Sequence, residues 1–400
     1  MMSIFLFILI GISSLNAQSI DWNITGAGAR ASGFGGAFIG VADDATAVVW
    51  NPSGLAYLER PEASLVTKFV MDSYEAEADR YSYDESTSHF VLNFMSGAYP
   101  FELAGRKMVA AIAYQRQLDF YYYSEEEYEV WGETLHIEDI GSGGADTFTP
   151  GIGVQVTPLI SAGLSANIWM GKAKREYTEE YTLEDNLEYS YEAETSFSGF
   201  NLVLGALADL NTLENPIPLK VGMSIRTPFE LEAEYSVEDV WGNEETETSI
   251  VEMPFMFGLG ASYRVGENLT FAIDYEMRAY GKSEIKEKGQ EDGSPLSESK
   301  ENLNQFRIGA EYLLVTDFAV LPIRLGFQTV PTVYANYDDN DDLKDQVKGI
   351  GFAIGSGLIM ERYALDITYS HSGYERKFSG LNLTAGHSSN IITLSGIFYF

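Results

Sequence analysis

The chain has no cysteine among its 400 residues, which excludes disulfides, thiolate nucleophiles, Cys-ligated zinc and an acylated lipoprotein anchor together. Burial and backbone hydrogen bonding must hold it. Cations are scarce too: 25 Lys and Arg stand against 59 Asp and Glu, a net charge of −34. That balance excludes a nucleic-acid partner, because phosphate binding needs a basic face that displaces counterions. It also argues against passive adhesion to an anionic lipid surface. Histidine occurs only at His89, His136, His371 and His387, and no Gly-x-Ser-x-Gly elbow is present. His371 and His387 are expected to approach one another across the last hairpin, near Ser388 and Ser389, yet loop histidines are more often solvated than catalytic. The chain reads as no enzyme, with no catalytic residue, cofactor or metal expected. Past residue 17, no apolar run approaches the roughly 18 residues that a membrane helix requires. If the mature chain spans a membrane, it does so with strands.

What is present begins with a secretory signal, expected over residues 1–17. Phe5 to Ile12 is an apolar core, followed by Ser13, Ser14 and the small residue Ala17 before Gln18. Its amino-terminal flank lacks Lys and Arg, and a buried N-terminal strand is the alternative.

Beyond Pro61 the hydrophobic period is two. Leu269, Phe271, Ile273, Tyr275 and Met277 share one face, against Thr270, Ala272, Asp274, Glu276 and Arg278 on the other. Phe306, Ile308, Ala310 and Tyr312 against Arg307, Gly309 and Glu311 repeat the pattern, as do Leu365 and Ile367 against Asp366 and Thr368. A soluble sandwich also alternates, so spacing decides. Strands of about ten residues, the length of a tilted membrane crossing, fit roughly fourteen times, among them 107–121, 160–175, 217–235 and 251–265. Their connections alternate short and long, with both chain ends on the short side. The long ones are read as loops at 72–86, 122–146, 176–195, 236–250, 282–301, 332–348 and 373–387. The expected fold class is therefore all-β: a transmembrane antiparallel β-barrel of about 14 strands, residues 61–400. Ile392, Leu394, Phe398 and the terminal Phe400 resemble the signal read by barrel-insertion machinery in Gram-negative outer membranes, which places the chain there as a multi-pass protein.

Acid is concentrated in three of the expected loops, 122–146, 176–195 and 236–252. Solvated outer loops explain it; the functional alternatives are divalent-cation bridges to lipopolysaccharide phosphates, or a negative mouth that biases which solutes approach. Inside the barrel, Arg226, Arg264, Asp274, Glu276, Arg278, Arg307, Glu311 and Arg324 fall opposite the apolar faces. They either pair as an interior ion network or offer an Arg to a substrate carboxylate. Asp338-Asp-Asn-Asp-Asp342 lacks the Gly and the bidentate Glu of a calcium loop.

Residues 18–60 differ from all that follows. Gly26 to Leu58 is rich in Gly and Ala, too short for its own core and too apolar for a free tail. Phe34, Phe38 and Trp50 need burial, and the lumen is the nearest space, so a small N-terminal hatch, or plug, is expected there. Asp43-Asp44 is read as the cap of a short helix, stopped by Asn51-Pro52, with Ser53 following.

Gly28-Ala-Arg-Ala31, Gly33-Phe-Gly-Gly-Ala37, Ala42-Asp-Asp-Ala45 and Asn51-Pro-Ser-Gly-Leu55 resemble the hatch of the FadL/TodX family of outer-membrane transporters for long-chain fatty acids and aromatic hydrocarbons. Arg226-Thr-Pro-Phe229, Phe306 to Tyr312 and Pro322 to Phe327 extend the resemblance along the barrel. It implies a hatch-closed barrel for passive uptake of hydrophobic small molecules, gated at Phe34, Phe38, Asp43, Asp44, Trp50, Asn51, Pro52 and Ser53, with release in part sideways into the bilayer. Outer-membrane lipid and lipopolysaccharide would surround it. The acidic loops disfavour anionic fatty acids, so neutral lipophiles are equally expected. A second branch with this barrel, the PorV-like components of type IX secretion, binds secreted-protein partners and is the alternative.

Overall fold

The computed structural model describes residues 22–79, 81–130, 133–181, 187–238, 244–340 and 342–400. The expected signal, 1–17, lies outside them. Two short helices, α1 (Ala29–Gly33) and α2 (Ala47–Trp50), and a 3-10 turn, Pro52–Tyr57, precede the first strand. The strands are β1 (Glu62–Ala78), β2 (Tyr81–Leu103), β3 (Arg106–Asp119), β4 (Tyr122–Val130), β5 (Glu133–Gln155), β6 (Ile160–Met170) and β7 (Lys172–Tyr181). Next come β8 (Leu187–Asp209), β9 (Leu219–Arg226), β10 (Phe229–Glu238), β11 (Glu244–Met253), β12 (Met256–Val265) and β13 (Leu269–Arg278). The rest are β14 (Glu284–Glu287), β15 (Ser294–Pro295), β16 (Leu303–Val315), β17 (Val320–Tyr337), β18 (Leu343–Ile359), β19 (Tyr363–Phe378) and β20 (Leu383–Tyr399).

Fourteen of them close a ring of antiparallel neighbours, β1-β2-β3-β5-β6-β8-β9-β12-β13-β16-β17-β18-β19-β20, and β20 pairs back onto β1 from Glu62–Tyr399 to Glu77–Thr384. Both faces of the wall are the reverse of a soluble core. Phe271, Ile273, Phe306, Ile308, Leu365 and Ile367 are exposed on the outside, while Asp274, Arg307, Glu311, Asp366 and Thr368 are buried inside. Apolar out and polar in is what lipid outside and a filled lumen inside require. The soluble-sandwich reading of the alternation ends here.

One end of the barrel has short turns. Ala104 and Gly105, at φ 53° and 73°, make the two-residue turn between β2 and β3, where a left-handed pair matches the strand twist. At the other end the expected long loops are largely strand. β2 and β5 each run 23 residues, about 75 Å at the usual rise and far more than a crossing needs. β4, β7, β10, β11 and β14 form a second sheet with the upper parts of β5 and β8. The spans expected at 160–175, 217–235 and 251–265 are each broken, at Gly171 (φ 115°), at Thr227-Pro228 and at Pro254-Phe255. Proline lacks the donor a ladder needs and Gly171 takes a backbone that a side chain resists, so the strands break there and pairing passes to the second sheet. The acid expected in loops therefore stands on strands. Glu125, Glu127 and Glu129 stand on β4, Glu176, Glu179 and Glu180 on β7, and Glu245, Glu247 and Glu252 on β11.

Residues 22–58 fill the lumen. Phe34, Phe38, Val48, Val49, Trp50 and Leu55 are buried in one cluster with Val66, Phe94, Ala98, Val109, Ala111 and Ala113 of β1–β3.

Candidate functional site

The hatch is fastened through its backbone. Around Phe38 the chain turns without regular structure, and the N–H groups of Phe38 and Ile39 both donate to Asp274 Oδ2, at 2.7 and 2.8 Å. Ser262 donates to the carbonyl of Gly40 at 2.8 Å, Arg226 to that of Val49 at 2.7 Å, and Thr368 to that of Ala29 at 2.7 Å. Ser395 accepts from the Ala29 N–H at 2.7 Å. The wall supplies the partners that loop backbone buried in a lumen cannot find in itself.

Glycine makes the approach possible. A Cβ on Gly326 would collide with the backbone of Phe34 and Gly35, and one on Gly163 with Pro52 and Ser53. The Gly-x-Gly pairs of the wall fall into two kinds. Gly153 and Gly260 abut hatch backbone, whereas Gly349 and Gly351 abut only neighbouring strands.

Each expected hatch residue is placed. Phe34 and Phe38 are fully buried, with Phe38 edge-on to Trp50 at 6.0 Å, and Trp50 Nε1 donates to the Ala27 carbonyl at 2.9 Å. Asp43 pairs with Arg30, which also reaches Glu311 at 3.4 Å. The expected cap differs: the helix starts at Ala47 with Thr46 in the capping position and no side-chain cap. Asp44 instead accepts from the Thr46 N–H at 2.9 Å and from its hydroxyl, holding the turn that leads into the helix. Asn51 stops the helix in extended geometry (φ −151°) and bonds the carbonyls of Ile39 and, across the wall, Ala206, while its Oδ1 accepts from Ser53. Pro52 opens the 3-10 turn, where its missing N–H is no loss.

The interior charges pair with one another. Glu276 binds Arg278 at 2.6 Å and Arg307 at 3.1 Å. Arg324 bridges Glu311 and Asp366, and Arg307 also lies over the Trp50 ring at 5.7 Å. Arg264, at the short-turn end of β12, is exposed. None of Arg226, Asp274, Glu276, Arg278, Arg307, Glu311 and Arg324 lines the large cavity. Glu276, Arg278, Arg307, Glu311 and Arg324 form an ion network, while Arg226 and Asp274 hold hatch backbone.

That cavity, about 510 Å³, lies between the hatch and the long hairpins. Its lining mixes aromatics such as Trp22, Phe120 and Phe197 with aliphatics such as Val91, Leu118 and Leu231. Where it enters the upper sheet, Tyr122 donates to Asp139 at 2.7 Å and Arg175 binds the same carboxylate through two nitrogens. Burial and the Asp139 charge push the Tyr122 phenol up, so it stays a donor. His387 also lines the cavity, stacked on Tyr74 at 4.7 Å, while His371 packs on the exposed Phe352 outside. The two do not meet, because His387 pairs with Tyr374, three residues along from His371 and hence on the opposite face. Among the described residues no group of three or more His, Asp or Glu is placed to hold a metal ion; Asp341 lies outside them.

Beside this cavity the wall is incomplete. β2 and β3 pair from Leu103–Arg106 to Phe94–Gln115 and no further, although both strands continue.

No protein-family model matches the chain, and no curated protein matches it in sequence. Solved structures do. A Pseudomonas aeruginosa FadL homologue superposes with a TM-score of 0.67 at 13% identity, over 94% of this chain and 99% of its own. The P. putida toluene transporter TodX gives 0.60 at 15% identity, over 94% and 99%. The chain has the FadL/TodX fold. The CymD monoaromatic hydrocarbon channel gives 0.55 at 12% identity, over 94% and 98%. Sequence reasoning reached this fold through the hatch, but it missed most of the cavity. Part of the lining, such as Tyr122, Asp139, Tyr191 and Ser249, comes from strands read as loops. Val91, Leu118, Phe120, Phe197 and Leu231 stand instead on spans expected as strands, whose role as a cavity wall no local pattern marked.

Proposed function

We propose that the chain is an outer-membrane channel for passive uptake of hydrophobic small molecules. The observation that carries this reading is the apolar and aromatic cavity of about 510 Å³ above a hatch that fills the lumen. Its size suits a small lipophile. The solved structures of like fold include a toluene transporter and a monoaromatic hydrocarbon channel, which favours such cargo here. A lipophile faces a polar lipopolysaccharide layer outside and would leave through apolar surroundings. The stretch of β2 and β3 without mutual pairing, next to the cavity, supplies a sideways exit into lipid. The hatch gates the path downward. Nothing in the cavity or the comparisons favours the type IX secretion alternative, and it is not carried further.

Gram-negative cells with an intact lipopolysaccharide layer are expected to accumulate radiolabelled alkylbenzene faster when they carry this chain. Equal rates with and without it overturn the reading. Deleting residues 27–57 is expected to raise ion conductance in planar bilayers, and unchanged conductance would show that the hatch is not what closes the lumen.

A further inference from the structure

Two β-bulges face one another at the point where the pairing of β2 with β3 ends. On β2 the register against β1 slips between Val66 and Thr67, and Asn93 is the extra residue. On β3 the register against β5 slips between Arg116 and Leu118, and Gln117 is the extra residue. Bulges re-aim side chains, and both residues line the large cavity together with His89. The three are tied to one stretch of β3. Asn93 Nδ2 donates to the Arg116 carbonyl at 3.4 Å, and Gln117 Nε2 donates to Gln115 Oε1 and Thr147 Oγ1 at 3.1 and 3.2 Å. His89 Nε2 meets Asp119 Oδ2 at 2.7 Å, with its ring stacked on Tyr121 at 4.1 Å.

Every donor of this set is used within the protein, and the acceptors are not. Asn93 Oδ1, Gln117 Oε1 and His89 Nδ1 are buried without a hydrogen-bond partner, and Asn93 as a whole is only 3% exposed. In the tautomer whose Nε2 proton goes to the Asp119 carboxylate, Nδ1 is an acceptor as well. A buried acceptor left unpaired is costly, so three of them along one wall of the cavity favour a ligand that brings a proton to donate.

We propose that Asn93, Gln117 and His89 form a subsite for a hydroxyl group on the cargo, and that the channel selects lipophiles bearing an O–H, such as phenols and alcohols, over bare hydrocarbons. The inference rests on the uptake reading above and narrows its substrate class. A hydroxyl donates its one proton to one of these acceptors while its carbon body lies among Trp22, Leu118 and Phe120. A hydrocarbon leaves the acceptors unpaired, and a carboxylate brings no proton to donate and lies beside Asp119.

The test is calorimetric titration of the full chain in detergent with 4-propylphenol, propylbenzene and 4-propylbenzoate, each corrected for its partition into micelles. The phenol is expected to bind about tenfold more tightly than propylbenzene, the span of one buried hydrogen bond, and more tightly than the benzoate. In Asn93→Leu and in Gln117→Met, each close in shape to the original, the phenol-to-propylbenzene ratio is expected to fall toward one. Equal binding of phenol and propylbenzene to the unmodified chain means that water alone satisfies the acceptors, and overturns the subsite while leaving uptake of lipophiles standing. Tighter binding of the benzoate, or a ratio that persists in both variants, also overturns it. Binding of no probe overturns the subsite and the uptake reading together. Comparing the three probes on the unmodified chain needs no variant to fold.

Discussion

The hatch meets the two sides of its barrel by different physics. Toward β9–β20 it is held by directed bonds: two backbone N–H groups on Asp274, the Arg30–Glu311 pair, and carbonyls taken by Arg226, Ser262 and Thr368. Toward β1–β3 it rests chiefly on Val66, Phe94, Ala98, Val109, Ala111 and Ala113. Polar ties on that side lie at its two ends, where Glu62 accepts from Ala45 and Gln115 donates to the Thr25 carbonyl. Hydrogen bonds fix distance and direction, whereas apolar contact is non-directional and lets surfaces slide. One side therefore anchors the hatch and the other is a seam, and the seam adjoins the place where β2 and β3 cease to pair.

Removing Arg324 attacks the anchored side hardest. Arg324→Met leaves Asp366 and Glu311 buried with less counter-charge, a loss of about 3–5 kcal/mol, read as a lower urea midpoint in lipid vesicles; an unchanged midpoint would show that the network is not structural. Asp274→Leu strands the N–H groups of Phe38 and Ile39 and is expected to cost on the order of 1–3 kcal/mol. It should release the hatch before the barrel, so that hydrogen exchange at those amides quickens while the wall amides stay protected. On the seam, Val66→Ala removes two carbons, worth about 1–2 kcal/mol. Its expected signature is faster uptake of alkylbenzene with a smaller drop in the midpoint than Arg324→Met gives, and slower uptake would reverse the assignment of anchor and seam. Smallest is Tyr122→Phe in the upper sheet, at about 0.5–1.5 kcal/mol, with conductance unaltered because Tyr122 touches neither side of the hatch.

Legibility followed the same physics. Alternation of Phe271 and Ile273 with Asp274 and Glu276 announced the wall, since lipid outside and a filled lumen inside impose a strict period of two. Trp50, Asn51 and Pro52 announced the hatch by needing burial where no separate core existed. Asp274 and Arg324 were legible as inward, but not their partners, because those lie more than two hundred residues away in the case of Phe38 and 42 away in the case of Asp366. β4, most of β11 and β14 of the upper sheet read as loop, since they are rich in Glu and Tyr with no lipid to enforce an apolar face, while β10 falls largely within the strand expected at 217–235. The bulge beside the cavity left no mark in the sequence, because Phe90, Leu92 and Phe94 keep the alternate spacing; only the burial of Asn93 and Phe94 side by side reveals it.

By itself the sequence determined a closed, plugged barrel, because the solvent on each side of a strand selects its residues one by one. The tertiary structure alone decided where the plug is tied by directed bonds, where it rests on apolar contact and which acceptors are left unpaired beside the cavity. Those depend on register slips of one residue and on groups brought together across the lumen, which no local pattern encodes.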